Sequence, residues 1–482
     1  MRTLTLIQSL VVATALCLSA AWAQQPPKDS QSTGSAVPIQ PLPPLPSGSG
    51  QAISDASLTQ SGAQYQTSAQ SQPDTHLLSS AETLGLGSLR GFRDIFDPAL
   101  KVSEFGETGL VPRQTTIESN FGGSLDLDHH WGRYHMAAAY NGADVIYQPS
   151  YFGMHYVPYH DLGISLEISS GRWTFRLRDD ARYSWGTGFG GAFTGGPAQG
   201  LQNSPLNSIQ PSLVPNATIQ TGLVRQLNNT ALGEADYAFS RRTTMTIVVS
   251  YGFYFFAGDY IDSQSINGRV GYNYAVSAAN SISLNYDYSH TSFGGASNRL
   301  QTDLVQMSFG RKITGRLAFQ LGAGPQLLRT NNSGLSAPRQ LSWSASSALT
   351  YNLTRTSYSL SYFRGVTAGS GVFYGSKSQT ITGTVNRQFT RFWSASMNGG
   401  YGTNESLVPG VVFVSRFDNW FAGASLNRQM GRQVRFTLSY SYQQETNGAG
   451  VCPVLSCGLP GATVFRQFGA TLQWHPLAAQ SR

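Results

Sequence analysis

Residues 244–255 read TMTIVVSYGFYF. Met245, Ile247, Val249, Tyr251, Phe253 and Phe255 share one parity, and Thr244, Thr246, Ser250 and Gly252 share the other. Side chains of a strand point alternately to its two faces, so a period of two gives a β-strand with an apolar and a polar face. The same rule sets Leu317, Phe319 and Leu321 against Gln320, Gly322 and Gly324, and Ile282, Leu284, Tyr286 and Tyr288 against Ser283, Asn285, Asp287 and Ser289. It recurs where Val434, Phe436, Leu438, Tyr440 and Tyr442 oppose Thr437, Ser439, Ser441 and Gln443. Long strands patterned this way suit a wall with lipid on one side and water on the other.

The strands are punctuated at a regular interval. Short turns fall at Gly132-Arg133, Gly171-Arg172, Arg241-Arg242, Ala279-Asn280, Gly315-Arg316, Thr354-Arg355, Thr390-Arg391 and Gly431-Arg432. Between them lie longer stretches rich in Gly, Ser, Asn and Pro, such as Asn331 to Pro338, Ala368 to Gly375 and Thr446 to Pro460. Short turns at one end and long loops at the other are the periplasmic and extracellular asymmetry of outer-membrane barrels. The fold class is therefore all-β, a transmembrane antiparallel up-and-down β-barrel. Eight turns make sixteen strands and Thr463 to Trp474 adds one; an even number then needs another near Val102 to Leu110, giving about 16–18. A soluble propeller also repeats every 40 to 50 residues or so, but strand lengths of about ten and aromatics at strand ends, such as Trp173, Trp393, Tyr401 and Trp474, disfavour it.

Outside the barrel the reading is compositional. Met1 and Arg2, the apolar run from Leu4 to Ala20 and Ala21-Trp22-Ala23 form a secretory signal peptide over 1–23. Leu16 before Cys17 is too large for a lipidation site. Residues 24–76, rich in Gln, Ser, Pro and Gly, lack the apolar surface to fold. In 77–114, Leu89, Phe92 and Phe96 have helical spacing, as expected of a linker or a small plug. The barrel is assigned to 115–475 and a tail to 476–482. After the signal no apolar run reaches the length of about 18 that a helical span requires. The formal charge of +7 comes from singly scattered basic residues, which argues against nucleic acid.

Several groupings were weighed for chemistry. Gly186-Thr187-Gly188-Phe189-Gly190-Gly191 lacks the strand–loop–helix context of a nucleotide site. Asp126, Asp128, His129 and His130 sit at a turn, where polar residues are ordinary. Asp179, Asp180 and a histidine such as His155 or His160 would have to serve a barrel protease, and they meet its geometric demands loosely. No catalytic, metal or cofactor residues are assigned. Cys452 and Cys457 can close a local disulfide in an oxidising compartment. The most informative constellation follows from parity: with Trp173, Phe175 and Leu177 toward lipid, Arg176, Arg178, Asp180 and Arg182 face inward. Glu167 on the preceding strand and Glu234 and Asp236 on the following one join them. Such a charge cluster is either a wall ladder satisfying itself or a patch that meets solute.

The segments Asn386-Arg387-Gln388-Phe389-Thr390-Arg391-Phe392-Trp393 and Phe309-Gly310-Arg311-Lys312-Ile313-Thr314-Gly315-Arg316 resemble hairpins of porin-type β-barrels of Gram-negative bacteria, some associated with exopolysaccharide secretion. The resemblance covers Thr115 to Trp474 and implies an outer-membrane pore for hydrophilic solutes. The alternatives are a polysaccharide-secretion barrel, a structural or adhesion barrel with a filled lumen, and a barrel hydrolase. Its implied partners are outer-membrane lipid, the barrel-assembly machinery and a hydrophilic solute or polysaccharide, with association into homo-oligomers left open. Arg316, Arg355, Arg391 and Arg432 would lie at the periplasmic interface, where anionic lipid adds about 1 kcal/mol each.

The longest connection, Trp185 to Gly222, carries the apolar anchors Phe189, Phe193, Leu201 and Leu206 and is expected to fold into the lumen. Deleting Gly190 to Ser212 should enlarge single-channel conductance and weaken ion selectivity; a deletion variant that assembles and conducts like the parent would remove the expectation.

Overall fold

The computed structural model describes residues 95–476, apart from 109–114, 152–153, 187–223, 258–260, 278, 295–297, 315, 333–334, 337–338, 368–372, 408–415, 432 and 448–461. The signal, the leader, the tail beyond Pro476, Cys452, Cys457 and almost all of the Trp185 to Gly222 connection lie outside these residues.

In chain order the strands are β1 Ile95–Thr108, β2 Thr115–Trp131, β3 Tyr134–Tyr151, β4 Met154–Ser170, β5 Trp173–Gly186 and β6 Val224–Ser240. There follow β7 Thr243–Phe256, β8 Ser263–Ala275, β9 Asn280–Phe293, β10 Arg299–Lys312, β11 Leu317–Asn332 and the two-residue β12 Leu335–Ser336. The remainder are β13 Gln340–Asn352, β14 Thr356–Thr367, β15 Ser376–Gln388, β16 Trp393–Ser406, β17 Arg416–Met430, β18 Val434–Asn447 and β19 Ala462–Trp474. Each full strand pairs antiparallel with its neighbours in sequence, β11 passing directly to β13. The ring closes where β1 pairs with β19, from Leu100↔Trp474 to Thr108↔Arg466. The result is an 18-strand closed barrel. Strands about 4.8 Å apart and tilted by roughly 40° put the backbone on a cylinder about 35 Å across.

β1 is the additional strand that an even number demanded. It occupies Ile95–Thr108 and pairs with β2 along its whole length, so the barrel begins inside the stretch assigned to a linker or small plug rather than at 115. Phe96, placed there on a helical face, stands on the outside of this strand. At the seam the His475 ring nitrogen Nδ1 lies 2.8 Å from Asp97 Oδ1, tying the residue after β19 to the start of β1.

The eight short turns hold two kinds of geometry. Gly132, Gly171 and Gly431 take φ of 58°, 62° and 74°, which a residue with a Cβ rarely adopts and tight hairpins require. At three other turns a hydroxyl bonds the backbone. Thr314 Oγ1 accepts from the Arg316 and Leu317 amides at 3.2 and 3.0 Å, and Thr390 Oγ1 from the Phe392 and Trp393 amides at 3.2 Å. Ser277 Oγ does the same for the Ala279 and Asn280 amides. These local bonds satisfy amides that the ladder cannot reach.

The two faces separate as alternation requires. Leu100, Val102, Ile247, Val249, Tyr251, Leu284, Tyr286, Leu321, Tyr440 and Leu472 are exposed on the outside. The inner parity of β8 and β15 carries Ser263, Ser265 and Asn267, and Ser376, Ser378 and Thr382, all buried. At the short-turn end an aromatic girdle forms: Trp173 lies 4.7 Å from Tyr237 and 5.5 Å from Phe175, and Trp131 stacks on Tyr134 at 5.6 Å. Aromatic rings of this kind mark the membrane–water boundary of barrels.

One position tests the ladder directly. Between Leu304↔Gln326 and Met307↔Ala323 the β10–β11 register lacks the pairs opposite Pro325 and Gly324, because proline has no amide to donate. A Cβ on Gly324 would meet the Val305 carbonyl oxygen at 1.8 Å, a backbone atom that cannot step aside. Gly324→Ala should destabilise the barrel by about 1–3 kcal/mol, read as a lower urea midpoint in lipid vesicles. An unchanged midpoint would mean that the two strands can part there at no cost.

Candidate functional site: the lumen wall and its mouth

The densest inward charge lies on β4, β5 and β6, and register explains it. Arg176 on β5 stands opposite Glu167 of β4 on one side and Glu234 of β6 on the other. Its Nε donates to Glu167 Oε2 at 2.9 Å, and its Nη1 donates to Glu234 Oε1 at 2.6 Å and Asp236 Oδ2 at 3.1 Å. Asp236 is also bonded by the Thr246 hydroxyl of β7. Farther toward the loops, Arg182 Nη2 donates to Asp161 Oδ2 at 3.0 Å, and Tyr159 donates to the same oxygen at 3.1 Å. Arg178 and Asp180 occupy the two inward steps between Arg176 and Arg182. Of the seven residues expected there, Glu167, Arg176, Glu234 and Asp236 form one bonded cluster, and Arg182 belongs to a second with Asp161.

Inward charges outside the expected set include Lys101, Glu107, Glu118, Asp161 and Glu445, and one further pair. Arg269 of β8 and Asp287 of β9 are direct register partners and form a buried ion pair. Alternation placed Asp287 on the polar face but gave no register, and the pairing is a register property. Away from the charges the wall is a mesh of hydroxyls and amides. Asn267 donates to Ser250 at 3.1 Å and accepts from Ser289 at 2.7 Å, Thr437 donates to Asn427 at 2.8 Å, and the Ser396 and Ser425 hydroxyls lie 2.7 Å apart.

Asp179, Asp180 and His160 are not brought together, and the side chain of His155 lies outside the described residues. Asp180 faces inward, whereas Asp179 on the opposite face accepts from Asn229 at 2.9 Å. His160 is exposed on the outside, 3.0 Å from the Tyr140 hydroxyl and stacked on Tyr183. His129 stacks on Trp131 at 5.1 Å.

The loop-side mouth holds an apolar knot. The β13–β14 register ends at Ala345↔Arg364, although β14 runs on to Thr367 and β13 to Gln340. Freed from β13, the end of β14 turns elsewhere: the Val366 amide donates to Gln326 Oε1 of β11 at 3.2 Å. Val366 and Tyr374 then pack with Phe293 of β9, Leu300 of β10, Leu328 of β11 and Leu407 beyond β16. Tyr374 meets Phe293 edge-on at 5.5 Å, and Phe373 lies 5.4 Å from Phe417. Gly375 sits at the hinge of this tip with φ of 89°, and a Cβ there would come within 2.9 Å of both Leu300 and Leu407. The Leu407 amide donates to the Gly375 carbonyl at 3.1 Å. Val366 and Tyr374, on either side of the β14–β15 connection, therefore bridge from that wall to β9–β11.

No family model matches the chain, and no curated protein matches it. Solved structures similar to it include OccK2 (OpdF) of Pseudomonas aeruginosa in complex with glucuronate, at 8% identity, covering 79% of this chain and 98% of that one with a TM-score of 0.41. OprD of the same organism is 9% identical over 81% of this chain and 98% of its own, with a TM-score of 0.40. The FrpB iron transporter from Neisseria meningitidis is 8% identical over 80% and 83%, with a TM-score of 0.39. A likeness this distant says nothing of cargo; the outer-membrane-type barrel is read from the chain's own closed pairing and its two faces.

Replacing Arg176 by methionine leaves three inward carboxylates facing one another without their guanidinium, and leaving one side of a buried ion cluster uncompensated is strongly destabilising. In a wet lumen the group can recruit a cation instead. Arg176→Met should shift the reversal potential in a salt gradient toward cation selectivity, by roughly twofold or more in permeability ratio. An unshifted reversal potential would show that the ladder lies off the ion path.

Proposed function

We propose that the chain forms an outer-membrane pore for hydrophilic solutes, narrowed at its extracellular mouth by the inward-bent β14–β15 tip. The observation that carries this reading is the inner parity of a closed 18-strand barrel lined by hydroxyls and amides, with charge gathered on β4–β6. A cylinder about 35 Å across leaves room for a water-filled path once side chains are subtracted. Uncharged polar walls offer many weak, exchangeable hydrogen bonds, which let a sugar or small polar solute enter without being trapped. The ion-pair ladder gives one side of the path a fixed orientation of charge. Phe293, Leu300, Leu328 and Leu407 favour a mouth that holds its shape, since apolar contacts exclude the water that would otherwise loosen it.

Purified protein in planar bilayers should give discrete conductance steps, and proteoliposomes should admit small neutral sugars. The double variant Leu300→Ser, Leu407→Ser should conduct more than the parent, because hydroxyls in the knot let water in and release the tip. If parent and variant are equally silent in bilayers, and the liposomes stay sealed, the lumen is filled and the barrel is a scaffold for its loops.

A further inference from the structure

On the outer face at the short-turn end, β15, β16 and β17 bring together arginines and aromatic rings. Trp393 of β16 stands directly opposite Arg428 of β17, and its register neighbour Ala395 stands opposite Arg387 of β15. The Arg428 guanidinium lies 5.1 Å from the Trp393 ring centroid, that of Arg387 lies 5.3 Å from Phe389, and that of Arg391 lies 4.6 Å from Phe392. Phe389 and Phe392 are 47% and 46% exposed, and Arg387, Arg391 and Arg428 are exposed with them. The contributing segments, 386–393 and 426–433, contain no Asp or Glu.

We propose that this patch is a binding site for the phosphate headgroup of an anionic glycerophospholipid of the inner leaflet. The rings fix depth, because exposed aromatics at a barrel's end lie at the level of the lipid headgroups. They also pre-order the guanidiniums: an arginine stacked on a ring has given up rotamer freedom in advance and keeps its in-plane N–H groups for an oxygen acceptor. A phosphate diester offers such acceptors, and a planar guanidinium meets it with two parallel bonds where an ammonium would make a point contact. The rest of the girdle is different in kind. Trp173, Phe175, Tyr237 and Phe239 form aromatic contacts with one another, while Arg387, Arg391 and Arg428 place cations over their rings. The outer sites at the loop end, Arg364 over Trp343 and Arg466 over Tyr442, each hold a single cation.

The proposal rests on the barrel's orientation in an outer membrane and is independent of whether the lumen conducts. The test is native mass spectrometry of the full-length, detergent-purified protein titrated with dioleoylphosphatidylglycerol or dioleoylphosphatidylcholine. The parent should retain the glycerol lipid at about tenfold lower concentration, two interfacial arginines supplying a difference of that order. Arg387→Gln with Arg428→Gln should abolish the preference, Arg387→Lys with Arg428→Lys should restore part of it, and Arg364→Gln should leave it intact. Equal retention of both lipids by the parent overturns the proposal even if no variant assembles. An unchanged preference in the glutamine pair overturns it too, as does preferential capture of lipid A by the same arginines. Conductance measured on the same samples separates this outcome from failure of the pore.

Discussion

A strand that crosses hydrocarbon must find a partner for every amide and carbonyl it carries, since lipid offers none and each orphan costs several kcal/mol. The pairing of β1 with β19 meets that demand, because it removes the last two edges of the sheet. Much else in the molecule follows from it. A closed sheet has one inside and one outside, so alternation in the sequence becomes a division between lumen and lipid. An even number of strands brings Ile95 and Trp474 to the same end, where His475 reaches Asp97 across the seam. Residues 378 positions apart thus meet at the seam that makes a ring of a ribbon.

Inside that ring, charge and hydroxyl play different parts. Arg176 is only 12% exposed and holds three carboxylates, each within about hydrogen-bond length, so its own charge is more than matched and the cluster leaves acidic groups in excess on that side of the lumen. The Ser, Thr, Asn and Gln wall has no such preference for one partner. A rigid charged stripe beside a labile neutral one gives a passing molecule an orientation without a deep well, the balance that permeation requires.

Much of this was legible in the residues, and the limits of legibility are physical. Period two identified the apolar and polar faces of 244–255, and parity alone turned Arg176, Glu234 and Asp236 inward. The eight short turns were visible because they recur at a regular interval and seven of them carry arginine. β1 was harder to delimit: Glu104 stands on the outer parity and the buried Phe105 on the inner one, so hydropathy there runs against the true alternation. The Arg269–Asp287 pair needed register, which parity does not supply. The apolar knot had no signal at all, since Phe293 and Leu300 of the β9–β10 hairpin, Leu328 of β11 and Leu407 beyond β16 are far apart in the chain and share no period.

The bent tip of β14 also changes how the wall itself resists opening. By turning toward Gln326, Gly365, Val366 and Thr367 forgo pairing with β13 while keeping their ladder to β15, and on the β13 side the sheet is held by side-chain contacts in place of a ladder. Straightening the tip would recover backbone bonds as it gave up apolar burial, so the two arrangements draw on different interactions of comparable size. Heat favours the buried arrangement and cold the paired one, because apolar burial strengthens with temperature near ambient conditions. The rim is in that sense a small thermal spring set into an otherwise stiff cylinder.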